Sequence, residues 1–108
     1  MSYDVIATPD AVRDAKRLGR KYASFKVDLN ALIDSLTTNP KQGESLGKDC
    51  YKVRLAIKSK NRGKSGGARV ISCVKVVDEI VYLLAIYDKS EADTIAEEDL
   101  TNRRQQIP

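Results

Sequence analysis

The chain has 108 residues, of which 42% are hydrophobic and 31% are charged, a balance typical of one folded domain rather than a disordered segment. No apolar run approaches the roughly 20 residues that a membrane-spanning helix requires, so we expect no contact with a membrane. The first residues lack the basic and apolar regions of a signal peptide, which predicts a cytoplasmic protein. We predict that residues 1–108 form a single domain.

The cysteine and histidine content limits metal and redox chemistry. The chain has two cysteines, Cys50 and Cys73, and no histidine. In a cytoplasmic protein we expect both to be reduced thiols that pack in the core rather than a disulfide. Two isolated cysteines without histidine predict no zinc site, and we expect no metal and no cofactor.

Positive charge is concentrated in one segment of the chain. From Cys50 to Val77 the sequence has eight of the 19 basic residues and none of the 15 acidic ones. The rest of the chain is mildly acidic, with 11 basic against 15 acidic residues. This separation favours a polyanionic partner, and we take RNA phosphate as the candidate. The alternative is a solvated surface whose charge serves only solubility.

In chain order, the first predicted element is a short strand at residues 3–7. Thr8 then caps a helix that has Pro9 at its first position. A second helix begins at Ser24 and ends before Pro40, because proline cannot continue it. The short link between the two helices predicts an antiparallel helix hairpin.

The second half of the chain is predicted to be mostly strand. After a polar loop at 40–49, the apolar pattern changes to strict alternation from Tyr51 to Lys58, which indicates a strand with one apolar and one basic face. A glycine-rich loop covers 58–67. The remaining predicted elements are strands at 68–77 and 80–86, a short helix after Thr94, and a frayed tail at 103–108.

This order predicts an α+β fold, β-α-α-β-β-β with a C-terminal helix. The last three strands form an antiparallel meander, and the helix hairpin covers one face of it. The other face carries the alternating positive side chains.

Several passages of the sequence match a known group of proteins. The chain opens with YDVIATP at residues 3–9, and the meander opens with CYKVRL at residues 50–55. The basic insertion ends in GGARVI at residues 66–71, and the last strand continues as LLAIYDKSE at residues 83–91. With the order of elements, these passages resemble the RelE/ParE superfamily of bacterial toxin–antitoxin toxins, and within it the RelE and HigB branch.

The resemblance implies a function and partners. It implies a metal-independent endoribonuclease that cleaves mRNA, commonly on the ribosome, and so inhibits translation. It also implies silencing by a cognate antitoxin protein, with oligomers forming only through that antitoxin.

The resemblance also implies catalytic residues. Lys52 and Arg54 match the basic residues of the family's first meander strand, and Arg69 matches the arginine of the second. Lys89 matches the basic residue after the last strand. The family's C-terminal tyrosine has no counterpart here, because no tyrosine follows Tyr87, and we therefore include Tyr87 as a ring that stacks on a base. The alternative is that Tyr87 packs in the core or at the sheet edge.

The residues themselves are consistent with this chemistry. Attack of a ribose 2′-OH on the adjacent phosphate needs a base, an acid and charge stabilisation. Arg54 and Arg69 suit charge stabilisation because guanidinium binds phosphate through two hydrogen bonds. Lys52 is the candidate proton carrier, and the strand period places it on the same face as Arg54. Asp88 is a candidate base or a residue that orients Lys89.

Basic residues of the loop at 58–67 are predicted to hold RNA rather than to catalyse. The set is Lys58, Lys60, Arg62 and Lys64. Interleaved glycines make this loop mobile, which suits contact with a polyanion but not precise chemistry. A plain hairpin loop is the alternative.

Two other functions remain open at this point. One is a non-enzymatic inhibitor of a protein target such as DNA gyrase, as ParE-like members are. The other is a catalytically silent RNA-binding module.

Overall fold

A computed structural model describes residues 2–60 and 66–108. It has three helices, five strands and a 3-10 turn at Lys58–Lys60 in this part of the chain. The strands are β1 (Asp4–Ala7), β2 (Glu44–Gly47), β3 (Cys50–Leu55), β4 (Ala68–Lys75) and β5 (Ile80–Asp88), and the helices are α1 (Pro9–Lys21), α2 (Phe25–Thr38) and α3 (Glu97–Arg104).

The strands form one sheet in the order β1-β5-β4-β3-β2. The predicted α+β class and the meander of β3, β4 and β5 are confirmed, but β1 pairs parallel to β5 and makes the sheet mixed. The strand β2 lies inside the predicted polar loop. Its sequence does not alternate, and a two-residue turn at Lys48 and Asp49 joins it to β3. Both turn residues have a positive φ, as the twist of a tight hairpin requires.

The helix hairpin forms as predicted. The side chain of Thr8 accepts a hydrogen bond from the backbone N–H of Ala11 at 3.3 Å, and Pro9 is the first residue of α1. The two helices pack against one face of the sheet and bury a core there. Its members include Leu18, Phe25 and Leu36 from the helices and Val70, Val81 and Leu83 from the strands.

The opposite face is covered over part of its area, which corrects the prediction of a uniformly wet basic face. Cys50, Ile71 and Leu84 form a second core, and Leu100 and Ile107 from the C-terminal segment pack on it. The short helix predicted after Thr94 is confirmed as α3, which begins at Glu97 after an extended Ala96.

The prediction of a frayed tail at 103–108 is wrong. Arg103 donates hydrogen bonds of 2.9 Å to the carboxylate of Asp14 and to the carbonyl of Leu84, and Ile107 packs on the second core. No local pattern predicts these contacts with Asp14 and Leu84, because both residues are distant from Arg103 in the chain.

The two cysteines are a further correction. Cys50 lies directly opposite Cys73 in the β3–β4 pairing, and a disulfide joins them. Both are buried under the C-terminal segment. The prediction of reduced thiols rested on the expected compartment, whereas the strand register places the two side chains against each other.

The pairing register of β4 against β5 shifts by one residue between Ile71 and Ser72. Ile71 pairs with Ala85, but the next residue, Ser72, pairs with Leu83. The extra residue in β5 reverses the alternation of side chains that follow it. Tyr87 consequently shares a face with the second core, while Asp88 lies on the helix face.

Candidate functional site

Three candidate residues form a row across neighbouring strands. Arg54 on β3 pairs with Arg69 on β4, and Arg69 pairs with Tyr87 on β5. Residues directly opposite each other in antiparallel strands point to the same face of the sheet. The row therefore lies on the face opposite the helix hairpin, as the prediction for Arg54 and Arg69 required.

Lys52 and Lys89 extend this row into a cationic surface, which we call the basic cluster (Lys52, Arg54, Arg69 and Lys89). Lys52 lies two residues before Arg54 on the same face of β3. Lys89 follows β5, and its backbone N–H donates a 3.0 Å hydrogen bond to the carbonyl of Gly67. The structure thus brings together the basic residues that the sequence analysis assigned to catalysis.

An acidic residue that the sequence analysis missed lies on the basic cluster. The Asp93 carboxylate accepts a hydrogen bond from Nε of Arg69 at 3.1 Å and lies 4.0 Å from Nζ of Lys89. The Asp93 carbonyl accepts a hydrogen bond from Nζ of Lys52, also at 3.1 Å. Asp93 therefore contacts three of the four members of the cluster. No sequence pattern identifies it, because it comes from an irregular segment between β5 and α3.

The charges around Asp93 determine its ionisation. Desolvation alone would raise the pKa of this carboxyl, but the positive charges of Lys89, Lys52 and Arg69 lower it below its usual value. Asp93 is thus an anion at neutral pH. Its side chain is 56% exposed, whereas Arg69 beneath it is 1% exposed.

Lys52 is held by acidic and carbonyl oxygens. Besides its bond to Asp93, its Nζ lies 3.5 Å from the carboxylate of Glu44 on β2. This second contact could not be expected from the sequence, because β2 was predicted to be a loop. Arg54, by contrast, is exposed and is presented to solvent.

Tyr87 is half-buried and packs against the second core. Burial raises its pKa to about 12, and the nearby negative charge of Asp93 adds to this effect while Arg69 opposes it. The hydroxyl is therefore protonated at neutral pH. It is buried and finds no hydrogen-bond partner within residues 2–60 and 66–108.

Asp88 lies on the other side of the sheet from the basic cluster, so it is wrongly placed to act as a base there. Its carboxylate is fully buried and accepts hydrogen bonds from the hydroxyl of Tyr22, from Nζ of Lys60 at 2.8 Å and from the N–H of Ser90 at 3.0 Å. Nζ of Lys21 lies 3.5 Å away. Burial would raise the pKa of Asp88, but the hydrogen bonds from Lys60, Tyr22 and Ser90 hold it well below its ordinary value.

The basic residues predicted to hold RNA differ in their placement. Lys58 is exposed, whereas the side chain of Lys60 is only 11% exposed and faces Asp88. Lys60 thus forms an internal ion pair with Asp88, which leaves it less accessible to a ligand than Lys58. Arg62 and Lys64 lie outside the described residues, and their role stays a prediction.

Both ends of the 58–67 segment are anchored. At its start, Asp28 accepts a 2.9 Å hydrogen bond from the backbone N–H of Lys58, and Ser24 accepts one of 2.8 Å from that of Ser59. At its end, a Cβ on Gly67 would come within 2.0 Å of the Leu55 carbonyl oxygen. Gly67 therefore serves close backbone packing rather than mobility.

A groove of about 740 Å³ runs beside the basic cluster, between α2 and the outer edge of β3. Val27, Ala31 and Leu32 form its apolar side, and Arg54 and Lys58 lie on its basic side. The strand β2 pairs with β3 only from Cys50 to Lys52. The groove therefore follows the second half of β3, which β2 does not cover.

Two findings concern metals and membranes. No group of three or more histidine, cysteine, aspartate or glutamate side chains that could hold a metal ion occurs in the described ranges. Among the helices described, none is both long enough and apolar enough to cross a bilayer.

The fold and the basic cluster define a small α+β protein with a cationic sheet face, and comparison with known proteins places it in a family. The family described as "RelE toxin of RelE / RelB toxin-antitoxin system" matches residues 12–106. The chain therefore belongs to the RelE toxin family of toxin–antitoxin systems. No curated protein sequence gives a significant match.

Solved structures support the fold. The chain is similar to a mutant of the E. coli toxin RelE in the free state, with a TM-score of 0.67, 17% identity and complete coverage of both chains. It is also similar to the isolated E. coli RelE toxin, with a TM-score of 0.64 and 18% identity over 96% of this chain and 99% of that one.

A third similar structure is that of a complex. The RelBE2 toxin–antitoxin complex from Mycobacterium tuberculosis contains a chain with a TM-score of 0.58 and 14% identity, covering 82% of this chain and 99% of that one. At these identities the comparisons define the fold, and the chemistry of this chain must be argued from its own residues.

Proposed function

We propose that this toxin is an endoribonuclease that cleaves mRNA on the sheet face that carries the basic cluster. The observation that carries the proposal is the cross-strand row of Arg54, Arg69 and Tyr87, with Lys52 and Lys89 beside it. Four cationic side chains on one face suit a polyanion. Two of them are guanidinium groups, which bind phosphate oxygens in pairs.

Each residue has a defined role in the proposed reaction. Arg54 is exposed and binds the RNA phosphate first. Arg69 stabilises the negative charge that develops on the pentavalent phosphorus, since its guanidinium lies in the middle strand of the row. Lys52 and Lys89 hold the neighbouring phosphates or assist proton transfer.

Tyr87 can donate a proton but is a poor base. Its raised pKa keeps the hydroxyl protonated at neutral pH. The hydroxyl is buried, so it would have to become accessible on RNA binding before it could donate a hydrogen bond to a phosphate oxygen or a proton to the leaving 5′-oxygen. Tyr87 is only partly buried, so a stacking contact of its ring with a base is also compatible with its position.

We propose an antitoxin and the ribosome as partners. The family is defined by a toxin–antitoxin pair, and one structure similar to this chain comes from such a complex. The groove between α2 and β3 offers an apolar wall and a basic rim, which suit an acidic segment with apolar side chains. Binding there would place the antitoxin beside Arg54 and so compete with RNA.

The proposal is tested by incubating the purified chain with translating ribosomes and mapping new mRNA ends by primer extension. We expect cleavage by the wild-type chain and a loss of roughly 100-fold in rate for Arg54→Ala. The matched control is Lys75→Ala, which removes one exposed positive charge at the far end of β4. Arg69→Lys retains the charge at the buried position but removes the paired hydrogen bonds, and it should also slow cleavage.

Intact mRNA with the wild-type chain would contradict the proposal. Growth arrest by the expressed chain without new mRNA ends would instead favour a non-enzymatic inhibitor of a protein target. Equal loss for Arg54→Ala and Lys75→Ala would reduce the role of the basic cluster to general electrostatic attraction.

A further inference from the structure

The basic cluster is already occupied by an anion of the chain itself. The Asp93 carboxylate lies on Nε of Arg69 and within 4.0 Å of Nζ of Lys89, and its carbonyl is bound by Lys52. A carboxylate and a phosphate accept the same hydrogen bonds from a guanidinium group. The two anions therefore compete for the same donors.

The burial of the two partners indicates which one has to move. Arg69 is 1% exposed and belongs to the middle of the sheet, so its guanidinium cannot reach a ligand above the surface while Asp93 occupies Nε. Asp93 is 56% exposed and comes from the segment between β5 and α3, which is irregular around it. Asp93 can be displaced without disturbing either core.

The segment that carries Asp93 is fixed on its N-terminal side. The backbone N–H groups of Glu91 and Ala92 donate to the carbonyl of Asp88 at 2.9 and 3.2 Å, and the side chain of Glu91 pairs with Arg17 on α1 at 2.8 Å. These contacts hold the start of the segment, and Asp93 itself contacts Arg69, Lys89 and Lys52 of the basic cluster. The carboxylate is therefore positioned over the site by its own anchored segment.

We propose that Asp93 is an intramolecular mimic of the substrate phosphate, which neutralises the basic cluster in the free toxin and has to be displaced by an RNA phosphate. This inference rests on the proposed function, since it regulates the same site. It predicts that Asp93 weakens RNA binding, although a residue placed beside a catalytic cluster would ordinarily be expected to assist it.

The test compares Asp93→Asn with the wild type in binding to a fluorescein-labelled single-stranded 2′-O-methyl RNA, which cannot be cleaved through a 2′-hydroxyl. Fluorescence anisotropy should show binding about two- to fivefold tighter for Asp93→Asn, the size expected when one partly exposed charge pair is removed. Asp78→Asn is the matched control. It makes the same change in net charge on the β4–β5 turn, about 20 Å along the hairpin from Arg69.

A second probe separates this inference from the proposed function. Titration with inorganic phosphate, followed by the NMR signal of the Arg69 Nε–H group, should reach half-saturation at a lower concentration for Asp93→Asn than for the wild type. If neither protein binds the RNA but the phosphate titration shows this difference, the proposed function fails and the mimicry stands.

Two outcomes would overturn the inference. One is binding by Asp93→Asn that is unchanged relative to Asp78→Asn in both titrations. The other is weaker binding, or loss of cleavage at unchanged binding, which would make Asp93 a residue that positions the cluster or takes part in catalysis. Both variants should remain folded, with unfolding free energies within about 1 kcal/mol of the wild type, since Asp93 lies outside both cores.

Discussion

The buried pair of Lys60 and Asp88 gives a stability prediction of known size. Lys60→Met removes the cation that donates a 2.8 Å hydrogen bond to a carboxylate with no exposed surface. Breaking a buried ion pair by removing one partner costs about 3–5 kcal/mol, because it leaves an uncompensated charge. Asp88 keeps its hydrogen bonds from Tyr22 and Ser90, and Nζ of Lys21 remains 3.5 Å from its carboxylate, so we expect a loss at or below the lower end, about 2–3 kcal/mol.

Urea unfolding followed by circular dichroism measures this loss at neutral pH. Lys58→Met is a close control, because Lys58 belongs to the same 3-10 turn but is exposed, and it should change stability by no more than about 0.5 kcal/mol. The double variant Lys60→Met with Asp88→Asn should lose clearly less than the sum of the two single losses, since both remove the same interaction.

The pH dependence supplies a second check with a definite sign. The folded pKa of Asp88 is depressed, so its contribution to stability is present above the unfolded value of about 3.9 and is lost as the pH falls below it. The difference in unfolding free energy between wild type and Asp88→Asn should therefore be constant above about pH 5 and shrink on further acidification.

A loss of unfolding free energy below about 0.5 kcal/mol for Lys60→Met would contradict the first prediction, because it would show that no buried charge was left unpaired.

Three further predictions concern residues that hold the fold around the site. Gly67→Ala should destabilise the chain by about 2–3 kcal/mol in urea unfolding, because its Cβ would overlap the backbone at the end of β3. Gly19→Ala is the control, since a Cβ on Gly19 of α1 meets open space, and it should stabilise the chain by about 0.5–1 kcal/mol. Arg103→Met should accelerate hydrogen exchange of the α3 amides, and unchanged exchange would contradict the anchoring of the C-terminal segment. A reductant should lower the unfolding free energy of the wild type by up to about 3 kcal/mol, but not that of the chain with both Cys50→Ala and Cys73→Ala, since the disulfide spans 23 residues.

Local signals in the sequence were sufficient to predict the helix hairpin and to place Lys52 and Arg54 on one face of a strand. Thr8 and Pro9 specify the start of α1 because capping and a fixed φ are properties of adjacent residues. The alternation around Lys52 and Arg54 placed both on one face of β3, because side chains two residues apart in a strand point the same way.

The rest of the site depends on the register of distant strands. The sequence from Ile80 to Ile86 is apolar throughout, so no alternation indicates that an extra residue in β5 sends Tyr87 to the basic face and Asp88 to the helix face. Asp93 reaches Arg69 across 24 residues of sequence. The Cys50–Cys73 disulfide likewise follows from which residues of β3 and β4 lie opposite each other.

Replacement of the attacking hydroxyl in the substrate tests the central claim most directly. An mRNA that the wild-type chain cuts at a mapped position is compared with the same RNA carrying one 2′-deoxynucleotide on the 5′ side of that bond. We expect a 2′,3′-cyclic phosphate end on the first RNA and an intact bond in the second, because the 2′-OH is the nucleophile and the basic cluster supports its attack. Equal cutting of both RNAs, or a first RNA that ends without a cyclic phosphate, would contradict it.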